Sequence, residues 1–473
     1  MRAPLTISKG VVNIASSGFA LDRIYLTFCA PILLALIYIL PPFQAPDEAA
    51  HFYRAVQISH GEISPVLAYN AYRQGAGGAV DQSAYELVDR RCGIPNWTCK
   101  NRTRPGLVDL LRRPLQRRNG DPRHVVAFSN TVVYLPLAHV VPAAAISIAR
   151  WSGFSALGWL YAGRLANMIF ATGVSWLALR LLRFERAALL VFAVATLPMV
   201  ISVVPTLTAD SGVISCSFLL VALCVRLLNH STRDRWFWPV MLFTVLYASA
   251  AKLAYLPLAF LPVACALMVK APRRTLIGAA AVALATVVVL LAWSGVIREF
   301  VFPISMDLRV DPPSQVAFIR HNPITFSEVI VRSIISRAHE LPMRVAGSLL
   351  CAQDVLPPES LLLFALLVAA FAMVYSGSRY PNMVLRIIAL IIICAGGAAT
   401  FVFLYIQNSA AGGAEVEGYQ GRYLIPLLPV LALVVPPIPR PEGMTEIRMR
   451  QIVGLGGSVS VLALAAFLTL RAW

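Results

Sequence analysis

The chain has 473 residues, 58% of them hydrophobic and only 13% charged, with a mean hydropathy of +0.71. Soluble domains carry about a quarter charged residues, and apolar runs of roughly 20 residues recur along the whole length, so the composition excludes a soluble globular chain and indicates a polytopic helical membrane protein. The formal charge of +17 does not argue for nucleic acid, because the basic residues flank apolar runs or sit in two long loops, where they set topology and meet anionic lipid.

In chain order, the tail 1–23 lacks the compact apolar core and small-residue cleavage site of a signal peptide, and the first span, Ile24 to Leu40, is expected to stay as an anchor. PPFQAPDEAAHFYRAVQ, residues 41–57, then places Asp47, Glu48 and His51 a few positions from a membrane surface, in a chain with only 23 acidic residues. The first outer loop, 41–161, continues with Cys92 and Cys99 in RCGIPNWTCK. That spacing suits a small disulfide if the loop lies outside the cytoplasm. A basic stretch at 104–123 has no strong apolar face and is expected to be solvated, and an interrupted apolar segment at 127–150 holds Pro136, His139 and Pro142. Further spans are expected near 162–182, 187–204, 212–228, 237–251, 253–269, 275–296, 359–375, 384–405, 421–439 and 451–470, with a second long outer loop over 297–358.

Charge sets the parity of these spans. If 127–150 does not cross and the N-terminus is cytoplasmic, the clusters Arg180/Arg183/Arg186, Arg226/Arg233/Arg235, Lys270/Arg273/Arg274, Arg379/Arg386 and Arg440/Arg448/Arg450 all fall inside, as the positive-inside rule requires. If it crosses, every one of them is thrown outside. The segment is therefore read as a juxtamembrane or re-entrant helix, and Asp47, Glu48, Asp210 of TLTADSG, Lys252 and Arg422 of GYQGRY share one outer face. The expected fold is all-α and polytopic, with about 11 transmembrane helices plus that helix. By region, it divides into the tail 1–23, a membrane module 24–296 that includes the loop 41–161, the second loop 297–358, and C-terminal helices 359–473.

Each candidate residue has a plainer alternative. Asp47 and Asp210 are either functional carboxylates or N-caps of the helices that follow. Glu48 points away from Asp47, since adjacent helical positions diverge, and is expected to orient His51 or Arg54. Lys252, inside apolar sequence, either faces a cavity or partner or snorkels to the headgroups. Arg422 presents a fork suited to phosphate, or is an interfacial arginine between Tyr419 and Tyr423; Arg164 in YAGRLANMIF is a third cation. His139 and His321 have no metal-spaced partners and are read as local hydrogen-bonding residues. Neither a Gly-x-Ser-x-Gly elbow nor a Walker A or dinucleotide glycine fingerprint is present.

Three stretches, PPFQAPDEAAHFYRAVQISHGEI, TADSG and QGRYLIPLLP, resemble the DUF2142 family of predicted membrane proteins, which is similar to a branch of the GT-C superfamily of multi-span glycosyltransferases. The resemblance covers most of the chain and is weakest from Ala71 to Arg123. It implies a GT-C-like membrane glycosyltransferase with Asp47 as the catalytic position, Glu48 as its acidic neighbour and Asp210 as the acid of the next outer loop. Beside these, His51, Arg54, Arg164, Lys252, Tyr419, Gln420, Arg422 and Tyr423 form the expected substrate-binding set. The implied donor is a polyprenyl-phosphate sugar, the acceptor an extracytoplasmic glycan, glycolipid or cell-envelope component, and the transfer inverting. Membrane lipids are the other expected partners, and the location is the bacterial cytoplasmic membrane with the site on its extracytoplasmic face. No cofactor is assigned. A divalent cation is disfavoured, because a hard cation wants several oxygen ligands and TADSG supplies one carboxylate. The competing functions are a lipid-linked sugar flippase or transporter and a surface-polysaccharide polymerase or ligase.

Overall fold

The computed structural model describes residues 20–69, 74–92, 121–229, 234–304, 307, 309–347, 357–377 and 383–472. The Cys92 and Cys99 thiols, the sequon at Asn96 and most of the basic stretch 104–123 lie outside the described side chains.

Helix α1 (Leu21–Ile39) carries a π turn at Tyr25–Cys29 and stops at Leu40, whose backbone is extended. Pro41 follows, and a residue before proline is pushed out of the helical region. The chain then turns into α2 (Glu48–Ser59), whose residues 48–57 are all buried. Against the expected all-α fold, the first outer loop contains a small sheet: β1 (Val66–Tyr69), β2 (Gln74–Asp81) and, after α3 (Gln82–Cys92), β3 (Arg123–Ala127), antiparallel in the order β1-β2-β3. β2 reads GAGGAVD because it is squeezed. A Cβ at Gly77 would fall 1.7 Å from the Val126 carbonyl oxygen, and one at Gly78 would fall 2.3 Å from the Gln57 side chain. Glycine is a poor strand former in general, which is why the sequence reading missed the strand.

Helix α4 (Val140–Trp151) has 12 residues, about 18 Å of rise, against the roughly 30 Å of a hydrocarbon core. Its entry and exit also lie at one end of the bundle. Arg164, early in α5 (Ala156–Leu181), donates to the Leu40 carbonyl at 2.7 Å, so the chain that leaves at Leu40 returns beside it. Helix α4 is not among the described helices long and apolar enough to cross a membrane. Helix α4 buries Pro142, Ala143, Ile146 and Ala149 against the protein and leaves Val140, Ala144, Ile148 and Trp151 facing outward, a stripe at helical spacing.

At the far end of α5, Arg180 and Arg183 reach Asp22 at 3.4 and 4.0 Å, and Arg186, Arg440 and Arg450 reach Glu446. One end of the bundle is thus an arginine end. After α6 (Ala187–Ala195) and α7 (Pro198–Val203), α8 (Ala209–Leu228) forms the axis of the bundle, with every residue but Arg226 buried. Helices α9 (Phe237–Ala250) and α10 (Leu253–Met268) flank an extended Lys252, and α11 (Arg273–Val296) leads to the second loop. That loop folds as α12 (Pro312–His321), α13 (Pro323–Arg337) and α14 (Leu341–Gly347). Helices α15 (Glu359–Tyr375), α16 (Met383–Asn408), α17 (Gly421–Val434) and α18 (Glu446–Ala472) complete the chain.

Five helices, α1, α8, α11, α16 and α18, are long and apolar enough to cross a membrane, while α9, α10, α15 and α17 are shorter apolar helices. Proline accounts for part of the gap from the expected span count. Pro257 lies inside the tight 3-10 turns that open α10, Pro426 and Pro429 lie inside those of α17, and Pro198 opens α7 just after α6 ends. Proline removes a helical donor and favours such breaks.

Candidate functional site

Asp47 occupies the N-cap position of α2 with a left-handed backbone, φ 62° and ψ 7°, and its side chain makes no capping hydrogen bond. A non-glycine residue there is uncommon and costs on the order of 1 kcal/mol or more. The capping alternative thus fails, and the turn sends Asp47 and Glu48 in different directions.

Glu48 goes inward. Its Oε1 accepts from Arg164 Nε at 2.7 Å and from the Leu207 N–H at 2.9 Å, while its Oε2 accepts from Arg164 Nη2 at 2.6 Å and the Phe43 N–H at 2.9 Å. Arg164 spends its other donors on the carbonyls of Ile37, Leu40 and Pro41. All five guanidinium N–H groups and both carboxylate oxygens are matched, and both side chains are 0% exposed. One sequence expectation is corrected here: Glu48 orients neither His51 nor Arg54. The Glu48–Arg164 pair fastens α1, α2 and α5 together.

Asp47 goes outward, into a different constellation. Arg422, at the start of α17 and 375 positions away, ion-pairs through Nη2 with Asp47 Oδ2. The Nε of Arg422 lies 2.9 Å from Asp210 Oδ2, off the line needed for a hydrogen bond. Lys252 Nζ stands 3.7 Å from Asp210 Oδ1 and 3.4 Å over the Tyr423 ring centroid, a cation–π distance. Lys252 therefore turns to this centre and does not snorkel. Asn130 Nδ2 donates to Asp47 Oδ1 at 3.1 Å, and the Tyr255 hydroxyl donates to the Tyr423 carbonyl at 2.9 Å. Asp210 lies in the first turn of α8, after a Thr208 N-cap. The four charges, two of each sign, balance. Asp47 is the most accessible of them, its side chain 36% exposed.

Local sequence explains the convergence. Lys252 sits in the non-helical break between α9 and α10, and Gly421 lets α14 seat directly beside Arg422, since a Cβ there would meet the Arg344 backbone at 2.2 Å. Among the described residues, no group of three or more His, Cys, Asp or Glu side chains converges as metal ligands would. The space between Asp47 and Asp210 is bridged by the Arg422 guanidinium.

Beneath Asp47, His51 Nδ1 and His139 Nε2 are 2.8 Å apart and both rings are buried. Burial pushes His51 down to about 4 against the opposing pull of the Asp210 and Asp47 carboxylates, and burial with the nearby His51 and Arg54 holds His139 well below the usual range. Both imidazoles are neutral at physiological pH, one donating to the other. His139 bonds His51 from 88 positions away, so its partner is not local as expected. Arg54 is fully buried and donates to Gln57 Oε1, the Ile63 carbonyl and the Tyr134 carbonyl.

The structure thus brings Asp47, Asp210, Lys252, Arg422 and Tyr423 together and sets His51 behind them. It does not bring Tyr419, which stacks on Phe401 at 5.1 Å between ring centroids, and Gln420 contributes its backbone carbonyl to Tyr423. Sequence reasoning missed Asn130 and Tyr255. An Asn in AFSNTV and a Tyr inside an apolar run carry no spacing signal, so only the fold could find them.

No curated protein and no solved structure matches this chain. A family model does, described as a predicted membrane protein (DUF2142) and matching residues 31–431. That match takes in every charged residue of the centre, and the chain belongs to the DUF2142 family.

Proposed function

We propose that this protein is a membrane glycosyltransferase of GT-C type, with about 11 crossings, which moves a sugar from a polyprenyl-phosphate donor to an extracytoplasmic glycan, glycolipid or cell-envelope acceptor. The observation that carries the reading is one arginine, Arg422, shared by Asp47 and Asp210 at the end of the bundle opposite the arginine clusters. By the positive-inside rule, that end faces out of the cytoplasm of a bacterial inner membrane.

The chemistry needs a base for the acceptor and cations for the leaving phosphate. A donor phosphate would compete with Asp47 for Arg422 and with Asp210 for Lys252, and charge-assisted pairing with phosphate is strong for arginine. Asp47, released from Arg422 and already accessible, would take the proton of an acceptor hydroxyl at about 3 Å. The hydroxyl oxygen bonds the anomeric carbon as the bond to the phosphate oxygen breaks. The electron pair leaves on polyprenyl phosphate, held by the two cations, and the configuration inverts.

The test is to incubate purified protein and Asp47→Asn with radiolabelled polyprenyl-phosphate sugars and a cell-envelope extract. Loss of the base is expected to lower transfer by about 100-fold or more. Equal transfer by the two proteins removes Asp47 from the chemistry. Absence of transfer by either, with carrier movement in sealed vesicles, would favour the transporter alternative.

A further inference from the structure

Helix α13 has two apolar faces, and the bundle uses one. On the inner face, the Phe326 ring lies 5.5 Å from that of Tyr405, Val329 joins the cluster of Phe401, Leu404 and Val416, and the Ser333 hydroxyl accepts from the Val416 N–H at 2.9 Å. On the outer face stand Ile324, 76% exposed, and Ile335, 68% exposed, with Val331 and Ile334 beside them. Positions 324, 331 and 335 fall in one line along an α-helix.

Depth identifies what meets that outer line. Phe401, Leu404 and Tyr405 belong to the last two turns of α16, a helix long and apolar enough to cross the membrane. A helix packed on those turns lies where acyl chains give way to headgroups. The exposed apolar line of α16, Met383, Ile387 and Ile391, continues at helical spacing into Phe401 and Tyr405, which are buried against the cluster that holds Phe326 and Val329 of α13, so α13 sits on a face of α16 that is turned to lipid further along the helix. Glu328 falls on that line between Ile324 and Val331, Arg332 and Ser336 stand on its flank, and all three are exposed. Apolar residues with charged ones among and beside them suit a helix at the headgroup boundary.

We propose that α13 lies flat in the leaflet at the charged end of the bundle, with Ile324, Val331, Ile334 and Ile335 in its acyl boundary. This inference stands apart from the glycosyltransferase reading. It gives the second loop a fixed seat, from which Arg337 reaches Glu415 at 3.5 Å and α14 packs on Gly421, next to Arg422.

Photo-crosslinking tests it. Benzoyl-phenylalanine replaces Ile324, Val331 or Ile335 in turn, with Ile391 on α16 as the lipid-facing control and Ser336 on the polar flank as the negative one. The full chain is irradiated in vesicles of phosphatidylethanolamine and phosphatidylglycerol, and adducts are identified by mass. Phospholipid adducts at 331 and 335 are expected within about threefold of the yield at 391, with 336 several-fold lower, as an interfacial helix requires. The proposal fails if 391 labels while 324, 331 and 335 do not, or if those three give chain-sized adducts to a second copy. Three positions spread over the helix keep the answer independent of any one variant that folds poorly.

Discussion

Asp47 and Glu48 are joined by one peptide bond, yet they sit in two ion-pair networks built on different terms. Around Glu48, every donor and acceptor is matched and water is excluded. Around Asp47, one arginine divides itself between two carboxylates, one contact is misaligned, and a third of the side chain is open. A buried pair with all its hydrogen bonds made has nothing left to offer a ligand, and removing either half leaves a stranded charge. A partly open and partly satisfied network keeps binding capacity that an incoming anion or hydroxyl can take up. The left-handed turn at Asp47 is the device that separates the two, and it places strain where the accessible carboxylate is.

The comparison breaks most sharply at Glu48. Glu48→Ala strands a fully enclosed Arg164, and loss of one half of a buried pair costs about 3–5 kcal/mol. The expected result is low yield and a large drop in the thermal midpoint in detergent. A second substitution, Arg164→Met, should recover part of that loss, because it removes the stranded charge. A Glu48→Ala protein as stable as its parent would mean that the clamp holds nothing together.

The next largest effect is pH dependence, and it sharpens the boundary between the two networks. His51 is pushed down to about 4 in the folded protein, below its unfolded value of about 6.5. The unfolded chain therefore binds the extra proton first, so this contribution is complete above about pH 6.5 and is lost as the pH falls toward 4. His139 shifts the same way. The free energy of unfolding measured from about pH 7 to pH 5, before most carboxylates titrate, should fall by about 2 kcal/mol for His51 alone, seen as a falling thermal midpoint. His51→Gln should flatten the slope. An unchanged slope in that variant would show that the histidine pair is open to solvent.

Much of this arrangement was legible before any coordinates. The helical membrane character follows from hydropathy, the gathering of Arg180, Arg183, Arg186, Arg440 and Arg450 at one end follows from the charge pattern, and Lys252 announced itself as a charge inside apolar sequence. Two kinds of information were not legible. The pairing of Glu48 with Arg164 spans 116 positions, and nothing local in either sequence names the other; the nearer His51 and Arg54 looked better. The sheet was hidden because glycines at 75, 77 and 78 answer to close approach by Ser129, Val126 and Gln57 and not to strand propensity. Tyr419 shows a third limit. It sits three positions from Arg422, but the extended Gln420 turns it into an apolar cluster.

The smallest expected effect concerns Asp47, and its small size is informative. In Asp47→Asn the left-handed turn survives, because Asn tolerates that conformation, and the side-chain oxygen can still accept from Asn130. Arg422 loses one of two carboxylates but keeps Asp210 at 2.9 Å. A partly exposed ion pair is worth about 0–1 kcal/mol, so the stability of Asp47→Asn should stay within about 1 kcal/mol of the parent. Asp47→Ala should lose about 1 kcal/mol more, since alanine has no local polar compensation at positive φ, and Asp47→Gly should recover that part. The order Asn, then Gly, then Ala in thermal midpoint assigns the residue's structural share to backbone conformation alone. If Asp47→Asn instead destabilises as much as Glu48→Ala, the two networks are one structural unit and the accessible carboxylate has no separate role.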